Sequence, residues 1–262
     1  MEIKSPDDLI YKIKFIFIRF LIRCLAFFSF ITKEKKGKEY YSVNGKFEAF
    51  YSGLPKNETT DNLIEVFIKI FSEHPWNEKW EKKDVLDKLN EEIKFTNNSF
   101  LVIMKGDNLL PVCGFSWGAV LAVELLPSRI EKALKISDGS FGNLVTFFNK
   151  HGVKKIVYFD EFAIDSSFRR GVNPIRYLLM AGLKLGRKDN VYQTMFWTTP
   201  ESKIMALSVL MGYQPILKKN VRGKEIVFMF NPSGLSLLKI AENIGDKYIK
   251  FFMKTISFVF KG

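Results

Sequence analysis

The sequence predicts a mixed α/β fold, a sheet of parallel and antiparallel strands with helices on its flanks. Three observations carry it. Residues 156–164 (IVYFDEFAI) are apolar on both alternate faces except at their middle, the pattern of a buried central strand. A break at Asp165-Ser166-Ser167 and a basic turn then lead into helical spacing over 175–184, with Tyr177, Leu178, Leu179, Ala181, Gly182 and Leu183 near one side. Residues 99–105 and 109–120 alternate around Gly106-Asp107-Asn108, which has the composition of a hairpin turn. Hairpins early and late, with one β-α-β crossover in the middle, make the sheet mixed.

Taken in order, the chain opens with a very apolar segment at 9–31 that holds four basic residues, Lys12, Lys14, Arg19 and Arg23. Two arginines near the centre of a membrane span would cost about 2.5–3.5 kcal/mol each, and no small-residue cleavage site follows. On a helical wheel Lys12, Arg19 and Arg23 form a narrow cationic stripe, as in a helix lying in a membrane interface. The polar run 33–38 (KEKKGK) marks a boundary, so residues 1–38 read as a basic amphipathic segment. Residues 40–52 alternate as a strand. Residues 62–71 (NLIEVFIKIF) read as a short amphipathic helix with Leu63, Val66, Phe67 and Ile70 inward, and 82–93 as a second helix. A long connection at 121–151 has a helical piece at 129–136 and a looser stretch around 138–142. Pro174 suits the first turn of the helix that follows the basic turn. Beyond it come a strand at 192–198, a helix at 201–211 and strands at 214–217 and 225–230. The domain ends near residue 231, and 232–262 reads as a second basic amphipathic helix, with Lys239, Lys247, Lys250 and Lys254 on one face.

Composition excludes several classes. At 262 residues and 47% apolar content, the chain can bury one good-sized core and is not a disordered protein. The formal charge is +12, yet residues 1–38 and 232–262 carry eight of those charges and the middle is nearly balanced. A nucleic-acid channel through the fold would need its basic patch in that middle. Cys24 and Cys113 are too few and too far apart for a disulfide framework, which fits a reducing cytoplasm. Gly114-Phe115-Ser116-Trp117-Gly118 matches the G-x-S-x-G elbow of serine hydrolases, but that fold needs its base after the serine. His74 precedes it, His151 follows by only 35 residues, and the last 111 residues contain no histidine. The glycines instead read as relief of crowding in a strand. No His/Cys/Asp cluster has metal-ligand spacing.

The order of elements resembles the GNAT superfamily of acyl-CoA-dependent N-acetyltransferases over residues 40–231. The likeness is carried by VCGFSWG (112–118), FDEFAIDSSFRRGVNPIRYLL (159–179) and ESKIMALSVLMGYQP (201–215). It implies a GNAT-like domain at 39–231 that takes acetyl-CoA, or another acyl-CoA, as co-substrate and passes the acyl group to an amine on a small molecule or peptide. By resemblance the backbone of Phe162, Ala163 and Ile164 would pair with the pantetheine arm. Arg169, Arg170, Gly171, Val172 and Asn173 occupy the pyrophosphate turn, whose N–H groups lie before a helix N-terminus. The family's glycines there are replaced by Val172 and Pro174, or by Asn173 and Ile175, depending on register. Ser208 stands where the family often has a tyrosine acid, leaving Tyr213, Tyr177 or water for that role. Asp160 and Glu161 are the candidate bases, or else a solvated pair at a β-bulge; strand alternation lets only one of them face the cleft, and the resemblance favours Asp160. The altered turn also leaves open a second reading, a GNAT-fold ligand-binding or membrane-surface module without turnover. The two basic ends imply either peripheral attachment to an anionic membrane at its cytoplasmic face or packing of the two helices on the domain or on each other.

Overall fold

Strand β3 (Val112–Ala122) is buried along ten of its eleven residues. It lies antiparallel between β2 (Ser99–Lys105) and β4 (Lys155–Ile164). In this computed structural model the described residues are 47–51, 53–73, 76–93, 95–106, 111–136, 138–168 and 173–233. They form a seven-stranded sheet ordered β1-β2-β3-β4-β5-β7-β6, with β1 at Phe47–Tyr51, β5 at Thr194–Thr198, β6 at Gln214–Val221 and β7 at Lys224–Asn231. The pair β4–β5 is parallel and the rest are antiparallel, the mixed sheet that the hairpins and the crossover predict.

Among the described residues, one face of the sheet carries four helices. Helices α1 (Asn57–Ser72) and α2 (Lys82–Ile93) cover Leu101, Ile103, Phe115, Trp117 and Ala163. Helices α3 (Leu126–Ala133) and α4 (Gly142–Lys150) cover Ala119, Leu121, Ile156 and Tyr158. On the other face α5 (Asn173–Lys188) sets Leu178, Ala181 and Leu185 against Phe100, Val157 and Phe159. A short helix α6 (Lys203–Leu210) brings Met205 to Met180 and Leu183 of α5. Such burial supplies about 1.5–3 kcal/mol per large apolar side chain and sets which strand residues meet which helix.

The helix at 82–93 coincides with its sequence pattern. Helix α1 begins five residues earlier than its apolar periodicity, because the first turn is polar, with Glu58 near the helix N-terminus. Helix α4 was not predicted, since Val, Thr and Phe lower its local propensity; burial of Leu144 and Phe148 against the sheet stabilises it. Strand β6 runs four residues past its expected end and turns into β7 at Arg222-Gly223, both at positive φ (52° and 81°). Among the described residues no helix is long and apolar enough to cross a membrane. The two basic terminal segments lie outside the described residues.

The β3–β4 ladder shifts register once. Gly118 faces Phe159 while Trp117 faces Glu161, so Asp160 is an extra residue in β4. This bulge sets the direction of two side chains. Before it, Tyr158 points toward α3 and α4; after it, Ala163 points toward α1 and α2, on the same face. Asp160 keeps the parity of Tyr158, and Glu161 that of Ala163, so both carboxylates leave the sheet on one face. The expectation that strand alternation separates them is corrected here.

Gly118 makes the bulge possible. A Cβ at this position would fall inside contact distance of the Tyr158 carbonyl oxygen and 3.0 Å from the Phe159 Cα. Gly114 is also crowded, by the Ala163 carbonyl. The G-x-S-x-G stretch is therefore mid-strand, with Ser116 buried opposite Phe162, and is no strand-to-helix elbow. Gly118→Ala is expected to destabilise the protein by about 3 kcal/mol, because backbone rather than a side-chain tip must move. Urea unfolding measures it, and a loss under about 1 kcal/mol would contradict the crowding argument.

Candidate active site

Helices α2 and α3 bring three charged side chains down onto the bulge. Arg129, at 1% exposure, grips Asp160 with two bonds: Nε donates to Oδ1 at 2.9 Å and Nη2 to Oδ2 at 2.7 Å. Its Nη2 also donates to the Glu92 carbonyl at 3.0 Å, which ties α3 to the end of α2. Glu92 accepts from Trp117 Nε1 at 2.6 Å and from Lys88 Nζ at 2.6 Å. Lys88 also reaches Glu161 Oε1 at 3.1 Å. Five ionisable groups thus form one buried chain, Arg129–Asp160 at one end and Lys88–Glu161 at the other, with Glu92 between them.

The two carboxylates of the bulge differ in kind. Both Asp160 oxygens are taken by a planar guanidinium that holds its charge, and the aspartate side chain is fully buried. Burial lifts its carboxyl to about 6 against the pull of Arg129. Among the described residues Glu161 pairs with one cation, Lys88, and its side chain keeps 11% exposure. Burial pushes its carboxyl up to about 8, Lys88 opposing and the carboxylates of Glu92 and Glu78 adding to the rise. Burial by itself would depress the Lys88 ammonium, but Glu92 and Glu161 outweigh it and hold the lysine charged. A carboxyl near 8 beside a charged lysine is largely protonated at neutral pH and gains or loses its proton within about a unit of it.

Beside Glu161 the sheet opens. Strands β4 and β5 pair only at Val157↔Thr194 and Tyr158↔Met195, although β4 runs to Ile164 and β5 to Thr198. Phe162, Ala163 and Ile164 stay paired with β3 on their other side. The connection from α1 to α2 borders this region. Trp76 meets Trp197 of β5 edge-on at 6.0 Å, and Trp80 Nε1 donates to Glu78 Oε2 at 2.8 Å. At the end of β4, Lys69 of α1 pairs with buried Asp165 at 2.6 Å, and Asp165 also accepts from the Ser167 N–H at 3.0 Å. This fixes the first residues of the turn leading to α5.

The expected site residues fall into three groups. Asp160 and Glu161 come together with Lys88, Glu92 and Arg129, while Phe162, Ala163 and Ile164 line the strand where β4 leaves β5. Arg169, Arg170, Gly171 and Val172 lie outside the described residues, and Asn173 opens α5. Tyr213 and Ser208 are placed elsewhere. Tyr213 packs with Met180, Leu183, Val227 and Met229 on the α5 face, and its phenolic oxygen accepts from the Thr194 hydroxyl at 2.8 Å. Burial holds its phenol well above the ordinary value. It is a core residue on the face opposite Glu161, which corrects its candidacy as the acid. The buried Ser208 hydroxyl donates to the Met205 carbonyl at 2.7 Å, within its own helix. His74 lies outside the described residues; His151 ends α4, its Nδ1 2.8 Å from the Phe147 carbonyl. Among the described residues no cluster of His, Cys, Asp and Glu is arranged to hold a metal ion.

Lys88, Glu92 and Arg129 were not singled out in the sequence, although a signal was present. Glu92 is three residues beyond Leu89 and seven beyond Val85, on the buried stripe of α2, and Arg129 is three beyond Leu126 on that of α3. A charge at a core position is buried only with a partner.

No protein-family model matches the chain, and no curated protein does. Solved structures do. The mosquito arylalkylamine N-acetyltransferase like 5b superposes with a TM-score of 0.50 at 12% identity, covering 71% of this chain and 99% of its own. The Drosophila melanogaster polyamine N-acetyltransferase has a TM-score of 0.47 at 14% identity, covering 70% and 98%. The mixed seven-stranded sheet, its flanking helices and the first of these superpositions together establish that this chain has the fold of the GNAT N-acetyltransferases.

Proposed function

We propose that the protein is an acyl-CoA-dependent N-acyltransferase that moves an acetyl group from acetyl-CoA to an amine. One observation carries the reading: the bulge in β4 puts a proton-accepting carboxylate, Glu161, beside the point where β4 and β5 part. The opened β4 edge at Phe162, Ala163 and Ile164 suits the amide-bearing pantetheine arm, which can pair with a strand edge. Helix α5, sixteen residues long, presents its N-terminus just after the turn, where a pyrophosphate would meet its dipole.

The acceptor nitrogen must lose a proton as it attacks the thioester carbon. Glu161 accepts that proton, the C–N bond forms, and collapse of the tetrahedral adduct breaks the C–S bond. The leaving thiolate takes a proton in turn. A thiol has a pKa near 8.5, so a Glu161 carboxyl near 8 can return its proton almost without a free-energy difference. Asp160 serves differently: held by Arg129, it fixes the bulge that aims Glu161.

Calorimetry with acetyl-CoA, followed by thiol release with a panel of primary amines, tests the reading. Binding and turnover are expected. Binding without turnover for any amine would favour the non-catalytic ligand-binding module, and no binding would overturn the acyl-CoA reading. We propose further that residues 9–31 and 235–260 attach the protein to an anionic cytoplasmic membrane surface without spanning it. Apolar faces supply the larger part, and each lysine or arginine near the surface adds about 1 kcal/mol, screened by salt. Co-sedimentation with anionic vesicles is expected to weaken in high salt and to be lost in a 39–231 chain; equal sedimentation of both chains would end the idea.

A further inference from the structure

The contact between Lys88 and Glu161 ends a chain that starts in the sheet. Trp117 of β3 lies opposite Glu161 in the ladder with β4. Its ring stacks on Phe115 and Phe67, with centroids 5.0 Å and 5.7 Å away, and is fully buried, so packing fixes its orientation. The indole N–H donates to Glu92 Oε2 at 2.6 Å, and Glu92 Oε1 accepts from Lys88 Nζ at 2.6 Å. One turn earlier on α2, Lys88 then spans to Glu161 Oε1 at 3.1 Å. A lysine side chain is rich in rotamers, and an ammonium holds one geometry only when something else holds the ammonium. Glu92, itself fixed by Trp117, does so, and the Lys88 side chain is left 9% exposed.

Charge matters to Glu161 as much as position. Among the described residues, α2 presents Lys88 and Glu92 to it, and the α1–α2 connection presents Glu78. Its own strand holds Asp160, whose two oxygens are taken by Arg129 of α3. Lys88 is therefore the cation that opposes both burial and the neighbouring carboxylates. Without it the Glu161 carboxyl would rise further, and a carboxylic acid cannot take a proton from an attacking amine. Glu92 acts in two senses: it holds Lys88 in place, and its own negative charge disfavours ionised Glu161. We propose, on the acyl-transfer reading above, that Lys88 is a positioning residue for that reaction. Anchored through Glu92 to Trp117, it aims the Glu161 side chain and supplies the positive charge that keeps Glu161 available as a carboxylate. Its ammonium acts through Glu161 and not on the reacting atoms.

Two variants of the full chain should pull Glu161 in opposite directions, which a merely structural role cannot do. Lys88→Met removes the cation at similar volume, so the rising limb of kcat/KM against pH should move up by about one to three units. Activity at pH 7 should fall about tenfold or more, the deficit narrowing toward about pH 9.5 with the KM for acetyl-CoA unchanged. Glu92→Gln keeps an oxygen for the Trp117 N–H and removes a neighbouring negative charge, so the limb should move down. This second variant strands no charge and decides the matter if Lys88→Met does not fold. A limb that stays in place, or activity lost by one factor at every pH, overturns the proposal. Carbon-13 NMR of the glutamate carboxyls, with Glu161 assigned by its loss in Glu161→Gln, reads the same shifts without substrate. Opposite NMR shifts in a protein that turns over no amine would overturn acyl transfer, and the catalytic role of Lys88 with it. Unchanged NMR titrations beside normal turnover would overturn the role of Lys88 alone.

Discussion

Replacing Glu161 by glutamine should lower kcat by about 10²–10⁴-fold while leaving acetyl-CoA binding close to that of the wild type. The amide keeps the size of the side chain and a hydrogen-bonding oxygen near Lys88, and it removes the ability to accept a proton. The pH profile gives a sharper readout. With a carboxyl at about 8, wild-type activity should rise with pH through that value, and the variant should lose the limb. Stability should move the opposite way. The folded carboxyl lies above its ordinary 4.5, so between 4.5 and about 8 the folded state holds a proton that the unfolded state has released. The stability this group contributes is thus fully present below 4.5 and is lost as pH rises through 8. Glu161→Gln should flatten that part of the stability curve. Thiol-release kinetics and urea unfolding from pH 5 to 9 measure both effects. A variant with the wild-type activity limb would remove Glu161 from the mechanism, whatever becomes of the fold.

The parts of this protein legible in its sequence are those set by short-range pattern. Continuous apolar runs identified β3 and β4, and the break and helical spacing after Asp165 identified the β4–α5 crossover. The bulge was legible only as an alternative, a solvated Asp160–Glu161 pair, because an inserted residue leaves no local mark that fixes which way its side chains point until the register of IVYFDEFAI with β3 is known. From that one residue follows the error that only one of Asp160 and Glu161 could face the cleft. Tyr213 misled for the same reason, since resemblance fixes a position along the chain, whereas its burial against Met180 and Val227 depends on packing between distant elements. Glu92 and Arg129 were legible in principle, each a charge on the apolar stripe of its helix. What no pattern gave was the partner, 25 residues from Glu92 in Trp117 and 31 from Arg129 in Asp160.

Removing the guanidinium at position 129 tests whether that partner is what the fold depends on. Arg129→Met keeps most of the side-chain volume and leaves Asp160 buried, charged and unpaired, for an expected loss of about 3–5 kcal/mol. Asp160→Leu should also destabilise, since it strands Arg129. The double variant Arg129→Met/Asp160→Leu should lose less than Arg129→Met alone, because a buried ion pair replaced by apolar groups is often neutral. The coupling between the two sites should therefore be well beyond the few tenths of a kcal/mol seen for independent positions. Acidity supplies an independent check. Asp160 already titrates near 6 with its partner in place, and without Arg129 burial must push it higher. The Arg129→Met deficit should then shrink as pH falls from 8 to 5 and the aspartate takes up its proton. Urea unfolding of the four proteins at both pH values completes the cycle. Additive losses, or a deficit that does not change with pH, would show that Arg129 acts by packing over Phe95, 4.8 Å from the ring centroid, and not by holding the charge of Asp160.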